Sequence, residues 1–552
     1  MKFTADYNLR VPPSRELGCR ATGHAFGGDS SKLMDCASRG CLFGYDREFG
    51  QSTNCQMHVS SLIAFSVKDS AVIFHGPVGC GAHSHLMDFA LKSSGAARGE
   101  PRLGARWLST NLTEADIISG GGAKLKEAII AADRRLRPSS IFVLNTCAPA
   151  IIGDDIDEEI KQARAEVSAP VYAVHCSGFK SKVISTAYDA VYHAILKAED
   201  FTPIKPVKPS QGPPKVNLFN AWSMGAADEA EIKRLLRAIG IDARVFVEFK
   251  SPDQWRALGE GDLNVSLCHV HDLYFLEFLR ETNGQPYVTP DIPVSLASTK
   301  AFILDIAKFF NLEKTASLVL EAEEKKVKAA LTPWEKELKG KRAIIIGGYL
   351  RTGGTALLLS ELGLKIASIS NYNYDAFGNE LFTAIEKKMG PVSISVSSQP
   401  AELLNQIKRL KPDVAIAHSG QGAWMVKAGI PSLPLFAQRF PYFGYAGAYS
   451  VATRLRRLLA NPNFAKNLAK HVSLPFTAGW YAKDPFHYLI NSEAETSAPE
   501  ETKTSKAKGL RLVKSKPDST SQAPAKKASP AAKTKPAAKK ASPAAPKPEK
   551  KK

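Results

Sequence analysis

Short apolar segments alternate with amphipathic ones along almost the whole chain, and this alternation is the feature that most constrains the fold. The segments SAVIFHGPVGC, SSIFVLNTCAPA and PVYAVHCSGF each read as a buried strand that ends in a loop. Between or after them, AKLKEAIIAADRRL and SKVISTAYDAVYHAILKA carry apolar residues at helical spacing. Strands that alternate with helices in this way predict an α/β fold with mostly parallel sheets.

The length of the chain and one proline-rich segment divide this pattern into domains. A chain of 552 residues is too long for a single hydrophobic core, so about three domains are expected. Residues 201–215, FTPIKPVKPSQGPPK, contain five prolines and no periodicity, which indicates a linker. We predict three Rossmann-like domains: an N-terminal extension with the first α/β domain (1–205), a second domain (206–340) and a third (341–490).

The basic charge of the chain is concentrated at its C-terminal end. Residues 501–552 contain 16 Lys and Arg against 3 acidic residues, which accounts for +13 of the net charge of +19. The remaining balance of +6 over 500 residues is ordinary for a globular protein, so no specific nucleic-acid binding is predicted. Residues 491–552 are rich in Lys, Ala and Pro and are expected to form a disordered tail. Such a tail is either a solvated appendage or a region attracted to anionic surfaces or a partner protein.

Several functions are disfavoured by what the sequence does not contain. No apolar run approaches the roughly 18–20 residues of a membrane span. The N-terminus has no apolar leader, so we expect a cytoplasmic protein whose eight cysteines are buried residues, catalytic thiols or metal ligands rather than disulfides. No G-x-x-x-x-G-K-[ST] motif occurs, and the glycine-rich segment IGGYLRTGG, interpreted as a loop, does not fit G-x-G-x-x-G. The chain is therefore not expected to hydrolyse ATP itself.

Three cysteines of the first domain follow or adjoin predicted strands. They are Cys55 in QSTNCQMH, Cys80 in HGPVGCG and Cys147 in VLNTCAPA. Because the carboxyl ends of parallel strands line one crevice, these residues can converge there. Thiolates are the usual ligands of iron–sulfur clusters, although a single cysteine is more often a buried apolar residue. Three ligands are too few for a four-cysteine cluster, so a second chain must supply the others if a cluster is present.

Three segments of this region closely resemble the α subunit of nitrogenase component 1 and its relatives: HGPVGCG, TEADIISGGGAKLKEAI and NTCAPAIIGDDIDEEI. The resemblance extends over about residues 39–461. It implies that Cys55, Cys80 and Cys147 are ligands of a P-cluster-like iron–sulfur centre shared with a β-type (K) subunit in an α2β2 heterotetramer. It also implies a transient partner, an ATP-hydrolysing iron–sulfur reductase of the dimeric H type.

A fourth cysteine, Cys268, follows the predicted strand LNVSL and begins the predicted helix HVHDLYFLEFLRE. The N-terminus of a helix favours a thiolate through its dipole and its unpaired N–H groups. A buried cysteine at the end of a strand is the simpler alternative. The resemblance implies that Cys268 holds one end of a large iron–sulfur cofactor. The neighbouring His269 and His271 are candidates for proton donation to this cofactor or for helix capping.

The chain departs from the nitrogenase pattern at several positions of the cofactor pocket. The family has a metal-binding histidine where RFPYFGYAGAY places Phe443, and it has a glutamine and a histidine where this chain has Ile184 and Tyr188. Arg351 in GGYLRTGG is the nearest cation to the family's basic loop. The resemblance therefore implies a more apolar pocket and a cofactor that could lack molybdenum and homocitrate.

Two functions remain open from these observations. The first is a nitrogenase-like reductase of a small substrate, similar to the D subunit of methylthio-alkane reductase. Its expected catalytic residues are Cys268, His269, Tyr188 and Arg351. Phe443 and Ile184 would then join Cys268 around the cofactor. The second is the α-type subunit of a cofactor-assembly scaffold, which carries a cluster without catalysis. Tetrapyrrole reductases share the fold, but Cys268 weighs against them.

Overall fold

The computed structural model describes residues 9–12, 23–48, 55–100, 104–181, 183, 185–199, 201 and 212–491. The chain divides into two compact units, Met1–Ser497 and Ala498–Lys552, and every described residue belongs to the first. The predicted disordered tail, apart from Asn491, and most of the proline-rich linker lie outside the described residues. No described helix is long and apolar enough to cross a membrane.

Sixteen strands are present in the described residues. They are β1 (Phe26–Asp29), β2 (Tyr45–Arg47), β3 (Ser70–His75), β4 (Trp107–Ser109), β5 (Ser140–Asn145), β6 (Val171–Val174), β7 (Lys215–Asn220), β8 (Asp242–Val247), β9 (Leu263–Ser266), β10 (Tyr287–Val288), β11 (Arg342–Gly347), β12 (Lys365–Asn371), β13 (Ser393–Val396), β14 (Val414–Ala417), β15 (Ser432–Pro434) and β16 (Leu489–Asn491).

Helices cover the faces of the sheets and connect successive strands. They are α1 (Ser30–Arg39), α2 (Gln56–Ser66), α3 (Ser84–Ala97), α4 (Glu114–Ser119), α5 (Gly122–Leu136), α6 (Cys147–Ile152), α7 (Ile156–Ala163), α8 (Thr186–Ala198), α9 (Ala226–Ala238), α10 (His269–Asn283), α11 (Leu296–Phe309), α12 (Glu313–Leu331), α13 (Glu335–Leu338), α14 (Tyr349–Glu361), α15 (Asn379–Met389), α16 (Pro400–Leu410), α17 (Ser419–Lys427), α18 (Gly444–Ala460), α19 (Asn463–His471) and α20 (Ala478–Ala482). Short 3₁₀ helices, such as Val78–Gly81, lie between them.

The strands form three main sheets, in agreement with the predicted α/β fold. The first has the order β4-β3-β5-β6 and the second β10-β9-β7-β8, and all of their pairs are parallel. The third has the order β1-β13-β12-β11-β14-β15, in which only the pair β1–β13 is antiparallel. Strand β3 is buried at each of its six residues, as expected for a parallel strand that is covered on both faces.

Two continuous cores join these sheets. One core packs Val216 of the second sheet with Ile345 of the third and with Phe26 of β1. The other packs Phe74 of the first sheet with Phe219 of the second, together with α2, α8 and α10. The second sheet therefore shares its interior with both neighbours, and the three predicted domains are closely packed parts of one unit.

The N-terminal segment differs from the prediction. Residues 1–205 were expected to belong together, but β1 pairs with β13 of the third sheet, with Phe26 opposite Val396. Strand β2 pairs antiparallel with β16, near the end of the described chain. The segment FGGD carries one large apolar residue, so its strand forms because the edge of the third sheet offers it partners.

The segment IGGYLRTGG is also not the loop that the sequence analysis expected. Strand β11 ends at Gly347, Gly348 is the N-cap residue, and α14 begins at Tyr349. Gly353 and Gly354 lie inside this helix, where added Cβ atoms would approach Leu381 and Ile292 to 2.6 and 3.0 Å. These two glycines therefore permit close packing around the helix rather than a phosphate-binding turn.

Candidate functional site

A cavity of about 290 Å³ lies where the second and third sheets present the carboxyl ends of their strands. Three helix N-termini border it: Cys268 is the N-cap residue of α10, Gly348 that of α14 and His418 that of α17. Each N-terminus carries unpaired N–H groups and a partial positive charge, so together they favour an anionic occupant. The apolar part of the wall consists of Val59, Leu62, Val270, Ile292, Leu350 and Phe436.

The Cys268 thiol faces this cavity. Burial raises its pKa to about 12, and the nearby Asp272 carboxylate adds to the shift. Arg351 and the backbone N–H groups of His271 and Val270 act in the opposite direction, toward the thiolate. If a metal ion displaces the thiol proton, Arg351 and these N–H groups would therefore stabilise the resulting thiolate.

Arg351 is a buried cation on the cavity wall, only 9% exposed. Its Nη2 donates to the carbonyl oxygen of Ser223, whereas its Nη1 has no hydrogen-bond partner. Burial lowers the pKa of this guanidinium, and the charge of Asp228 opposes that shift. A buried N–H group without a partner is costly, so the site is built to receive an acceptor beside Arg351. This donor set fits a sulfur-rich anionic group such as an iron–sulfur cofactor.

Tyr188 and His271 form a second wall of the cavity. Their rings are stacked, with centroids 3.8 Å apart and an interplanar angle of 6°. His271 Nδ1 lies 2.9 Å from Ser223 Oγ. Burial raises the pKa of Tyr188 well above its ordinary value, and the nearby Cys268 adds to this shift, so the phenol is neutral. The structure thus brings Tyr188 together with Cys268 and Arg351 around one cavity.

His269 occupies a different position from the one predicted. Its Nε2 lies 3.2 Å from Tyr349 Oη, and that hydroxyl donates to Asp375 Oδ1 at 2.8 Å. His269 is not among the residues that line the cavity, whereas His271 is. The first turn of α10 therefore directs the second histidine, not the first, to the candidate site.

Phe443 is likewise not at the cavity. It is completely buried as the N-cap residue of α18, and its N–H donates to Asp228 Oδ1 at 2.9 Å. The Arg351 guanidinium lies 4.9 Å from the centre of its ring. Phe443 thus packs beneath Arg351 instead of forming the predicted contact with a cofactor. Ile184, the other predicted contact, lies outside the described residues.

Cys55, Cys80 and Cys147 form a separate cluster at the first sheet. Cys55 is the N-cap residue of α2, Cys80 lies in the 3₁₀ turn after β3, and Cys147 begins α6 after β5. A Cβ added at Gly178 would lie 2.7 Å from Cys55 Sγ and 3.5 Å from Cys147 Sγ, so both sulfurs adjoin the same backbone. Burial raises the pKa of Cys80, and the charges of Cys147 and Cys55 raise it further. The three thiols therefore converge, as the strand ends predicted.

The surface beside these cysteines is unusually apolar. Val78 and Ile151 lie within a few residues of Cys80 and Cys147. Phe89 lies on α3, and Phe179 follows Gly178. Each of these four apolar side chains is more than half exposed. Exposed apolar side chains in such a group are typical of a protein–protein contact. Cys176 is buried nearby, and burial raises the pKa of its thiol.

No group of three or more His, Cys, Asp or Glu side chains in the described part of the chain is arranged to hold one metal ion. Cys55, Cys80 and Cys147 therefore do not form a mononuclear site. The three thiols converge on a space beside Gly178 that a single Cβ would fill. They fit a group with several metal ions whose remaining ligands come from another chain. Cys41, an alternative to Cys55, packs in the other core, and its Sγ donates to the carbonyl oxygen of Cys36 at 3.4 Å.

Sequence reasoning missed several residues of the cavity, namely Trp222, Tyr349, Tyr372, Asn373, His418 and Phe436. His418 follows β14 in the segment PDVAIAH, and Tyr372 follows β12. Their positions at strand ends were visible in the sequence. The strand order that brings these ends to Cys268 was not.

Comparison with known proteins identifies the family of the chain. Residues 55–460 match the family model described as nitrogenase component 1 type oxidoreductase. The nitrogenase iron-molybdenum cofactor biosynthesis protein NifE of Nostoc sp. is 26% identical over 458 residues, covering 81% of this chain and 90% of the relative. The nitrogenase molybdenum-iron protein alpha chain of Methanothermobacter marburgensis is 23% identical over 416 residues, covering 73% and 86%.

A solved structure, nitrogenase Cp1 at pH 5, shares the fold with a TM-score of 0.62 and 21% identity, covering 82% of this chain and 96% of that one. The family model spans nearly all of the described region, including the four cysteines of both sites. The chain therefore belongs to the nitrogenase component 1 type oxidoreductase family.

Proposed function

We propose that this chain is the catalytic α-type subunit of a nitrogenase-like iron–sulfur reductase that cleaves the carbon–sulfur bond of small methylthio-alkanes. The observation that carries this proposal is the cavity that joins the Cys268 thiol and the unpartnered Arg351 Nη1 to an apolar wall. The thiol and the cation suit an anionic iron–sulfur cofactor, and the apolar wall suits an uncharged thioether.

In this proposal the two cysteine sites have different tasks. Cys55, Cys80 and Cys147 hold a P-cluster-like group together with a β-type subunit that covers the apolar surface beside them. Cys268 holds the large cofactor. When bound, these groups supply stored electrons and an electron-rich metal–sulfur surface for reduction. The protein supplies position, exclusion of water and proton-bearing side chains.

The overall reaction consumes two electrons and two protons. The carbon–sulfur bond of R–S–CH3 breaks, and R–H and CH3SH are formed. The electrons come from a separate ATP-hydrolysing iron–sulfur reductase, consistent with the absence of a phosphate-binding loop motif in this sequence. His271 can hold or move a proton at Nδ1, because Ser223 Oγ lies 2.9 Å away.

The residues around the cavity also bear on the identity of the cofactor. The nitrogenase family has a metal-binding histidine where this chain has Phe443, and a phenyl ring cannot bind a metal. Phe443 is moreover completely buried beneath Arg351. We therefore expect a cofactor without molybdenum, which metal analysis of the purified complex can test.

A second candidate function is that of a cofactor-assembly scaffold. Relatives named as cofactor biosynthesis protein NifE reach 25–26% identity over 74–81% of this chain, at least as similar as the alpha chains compared. A scaffold would bind a precursor cluster at Cys268 and release it to another protein, without turnover of a small substrate.

One experiment separates the two functions. The chain is purified anaerobically with its β-type partner, supplied with the reductase, ATP and an electron donor, and assayed for hydrocarbon and methanethiol from methylthio-alkanes. ATP-dependent formation of both products supports the reductase. Absence of turnover, together with transfer of an intact cluster to an apo-enzyme, supports the scaffold.

Variants of two cysteines sharpen this experiment. Cys268→Ala should lose the cofactor and all activity but keep the iron of the first site and the β-type partner. Cys36→Ala serves as the control, because Cys36 is a buried cysteine of α1 that does not line the cavity. Full activity in Cys268→Ala would refute the assignment of the active site.

A further inference from the structure

His418 differs from His271, the other histidine that lines the cavity. It is the N-cap residue of α17, but its side chain does not cap that helix. Its ring instead lines the cavity and stacks on Tyr372, with centroids 5.6 Å apart at 25°. Within the described residues, its imidazole nitrogens form no hydrogen bond.

Three other histidines at the ends of strands have hydrogen-bond partners. His269 pairs with Tyr349, His271 with Ser223, and His75 with Asp154. Buried polar groups nearly always have a hydrogen-bond partner. His418 is only half-buried, and its ring lines the cavity, so a group that fills the cavity can bond to its imidazole.

The chemistry of an imidazole narrows the chemistry of that partner. A ring nitrogen that faces a cavity can offer its lone pair to a group bound there. Neutral imidazole is the form that binds metals, and iron is among the metals it suits.

Cys268 and His418 reach the cavity from different sheets. Cys268 follows β9 of the second sheet, and His418 follows β14 of the third. A rigid metal–sulfur group bound by both would be fixed at two points rather than one. Phe443, where the resemblance implies a second ligand, does not line the cavity, so of these two residues only His418 is placed to give a second point.

We propose that the His418 imidazole is a ligand to iron of the cofactor that Cys268 anchors, so that a thiolate and an imidazole hold the same group. This proposal rests on the proposed iron–sulfur cofactor but not on its substrate. It makes His418 the second attachment point of the cofactor.

The test uses the complete complex with its β-type partner, grown with 15N-labelled histidine. Pulsed electron paramagnetic resonance of the cofactor should show hyperfine coupling to an imidazole nitrogen in the wild-type complex. In His418→Ala this coupling should disappear, and the cofactor should be lost about ten- to a hundredfold faster during chelator treatment. Labelled imidazole added to His418→Ala should restore the coupling.

The control variant is His269→Ala, since His269 is bonded to Tyr349 and does not line the cavity. It should keep the coupling. Unchanged coupling in His418→Ala, or none in the wild-type complex, would overturn the proposal even if methylthio-alkanes are reduced.

The two proposals can fail separately. A wild-type complex with His418-dependent coupling but no methylthio-alkane turnover would leave the ligand assignment standing and refute the substrate. A complex that binds no cofactor at Cys268 would overturn both. If His418→Ala does not fold, the spectrum of the labelled wild type and of His418→Gln decides the question.

Discussion

The position of Gly178 makes a sharp prediction about the first cysteine site. In Gly178→Ala, the new Cβ would lie 2.7 Å from Cys55 Sγ and 3.5 Å from Cys147 Sγ. Ordinary van der Waals contact begins at 3.4 Å, so the Cys55 sulfur must move by about 0.7 Å. Functional groups generally tolerate displacements of only about 0.5 Å. The substitution should therefore disturb the geometry of the thiols more than the fold.

The expected cost to the fold follows from overpacking at a tight site. Inserting a methyl group where it does not fit destabilises a protein by about 1–3 kcal/mol. Urea denaturation of the complex should show a loss of this size. The iron content of the first site and its characteristic spectrum should fall much further, whereas the cofactor at Cys268 should be retained.

Gly479→Ala provides the matched control, because its Cβ would meet only Thr477 Oγ1, at an ordinary 3.8 Å. This variant should behave as wild type in both assays. The reasoning would be refuted if Gly178→Ala kept its full iron content and spectrum, since the three thiols would then not depend on the space beside Gly178.

Two further predictions concern stability. Arg47 and Glu402 form a buried ion pair, with Nε and Oε1 2.7 Å apart and side-chain exposures of 6% and 5%. Arg47→Met should therefore lower the free energy of unfolding, measured by urea titration, by about 3–5 kcal/mol. Arg39→Met, which breaks an exposed ion pair, is the control, and an equal loss in both variants would contradict this prediction. Burial lowers the pKa of His193 in the folded chain to about 4. Between about pH 6.5 and 4 the unfolded chain therefore binds a proton at His193 that the folded chain does not. The free energy of unfolding should fall by about 2–3 kcal/mol as the pH decreases through that window. His193→Gln should flatten that part of the pH–stability curve, and an unchanged slope would show that His193 is not its source.

Much of the fold could be predicted from the sequence because its strands are continuous apolar runs. Strand β3 and strand β5 are buried at every residue, and both stood out in SAVIFH and SIFVLN. Strand β1 could not be predicted in the same way. Its residues after Phe26 are two glycines and an aspartate, and within the described residues it pairs with β13 alone, far away in the sequence.

The candidate site shows the same division between local and long-range information. The helix that begins after Cys268 was predictable from the run LNVSLC and the amphipathic segment behind it. Which of His269 and His271 faces the cavity was not, because the direction of the first helical turn depends on packing against the third sheet. His418 was missed for a related reason: its role depends on β14 lying beside β11, which no local pattern encodes.

The pairing of β1 with β13 has a consequence for the order in which the chain matures during synthesis. Val396 lies 370 positions after Phe26. At a translation rate of about 5–20 residues per second, the N-terminal strand emerges roughly 20–70 s before its partner exists. Until then it presents an unpaired edge that other strands could occupy. The third main sheet thus takes in the first strand of the described chain late in synthesis. Nascent chains truncated before residue 393 should leave that strand accessible to proteases or chaperones.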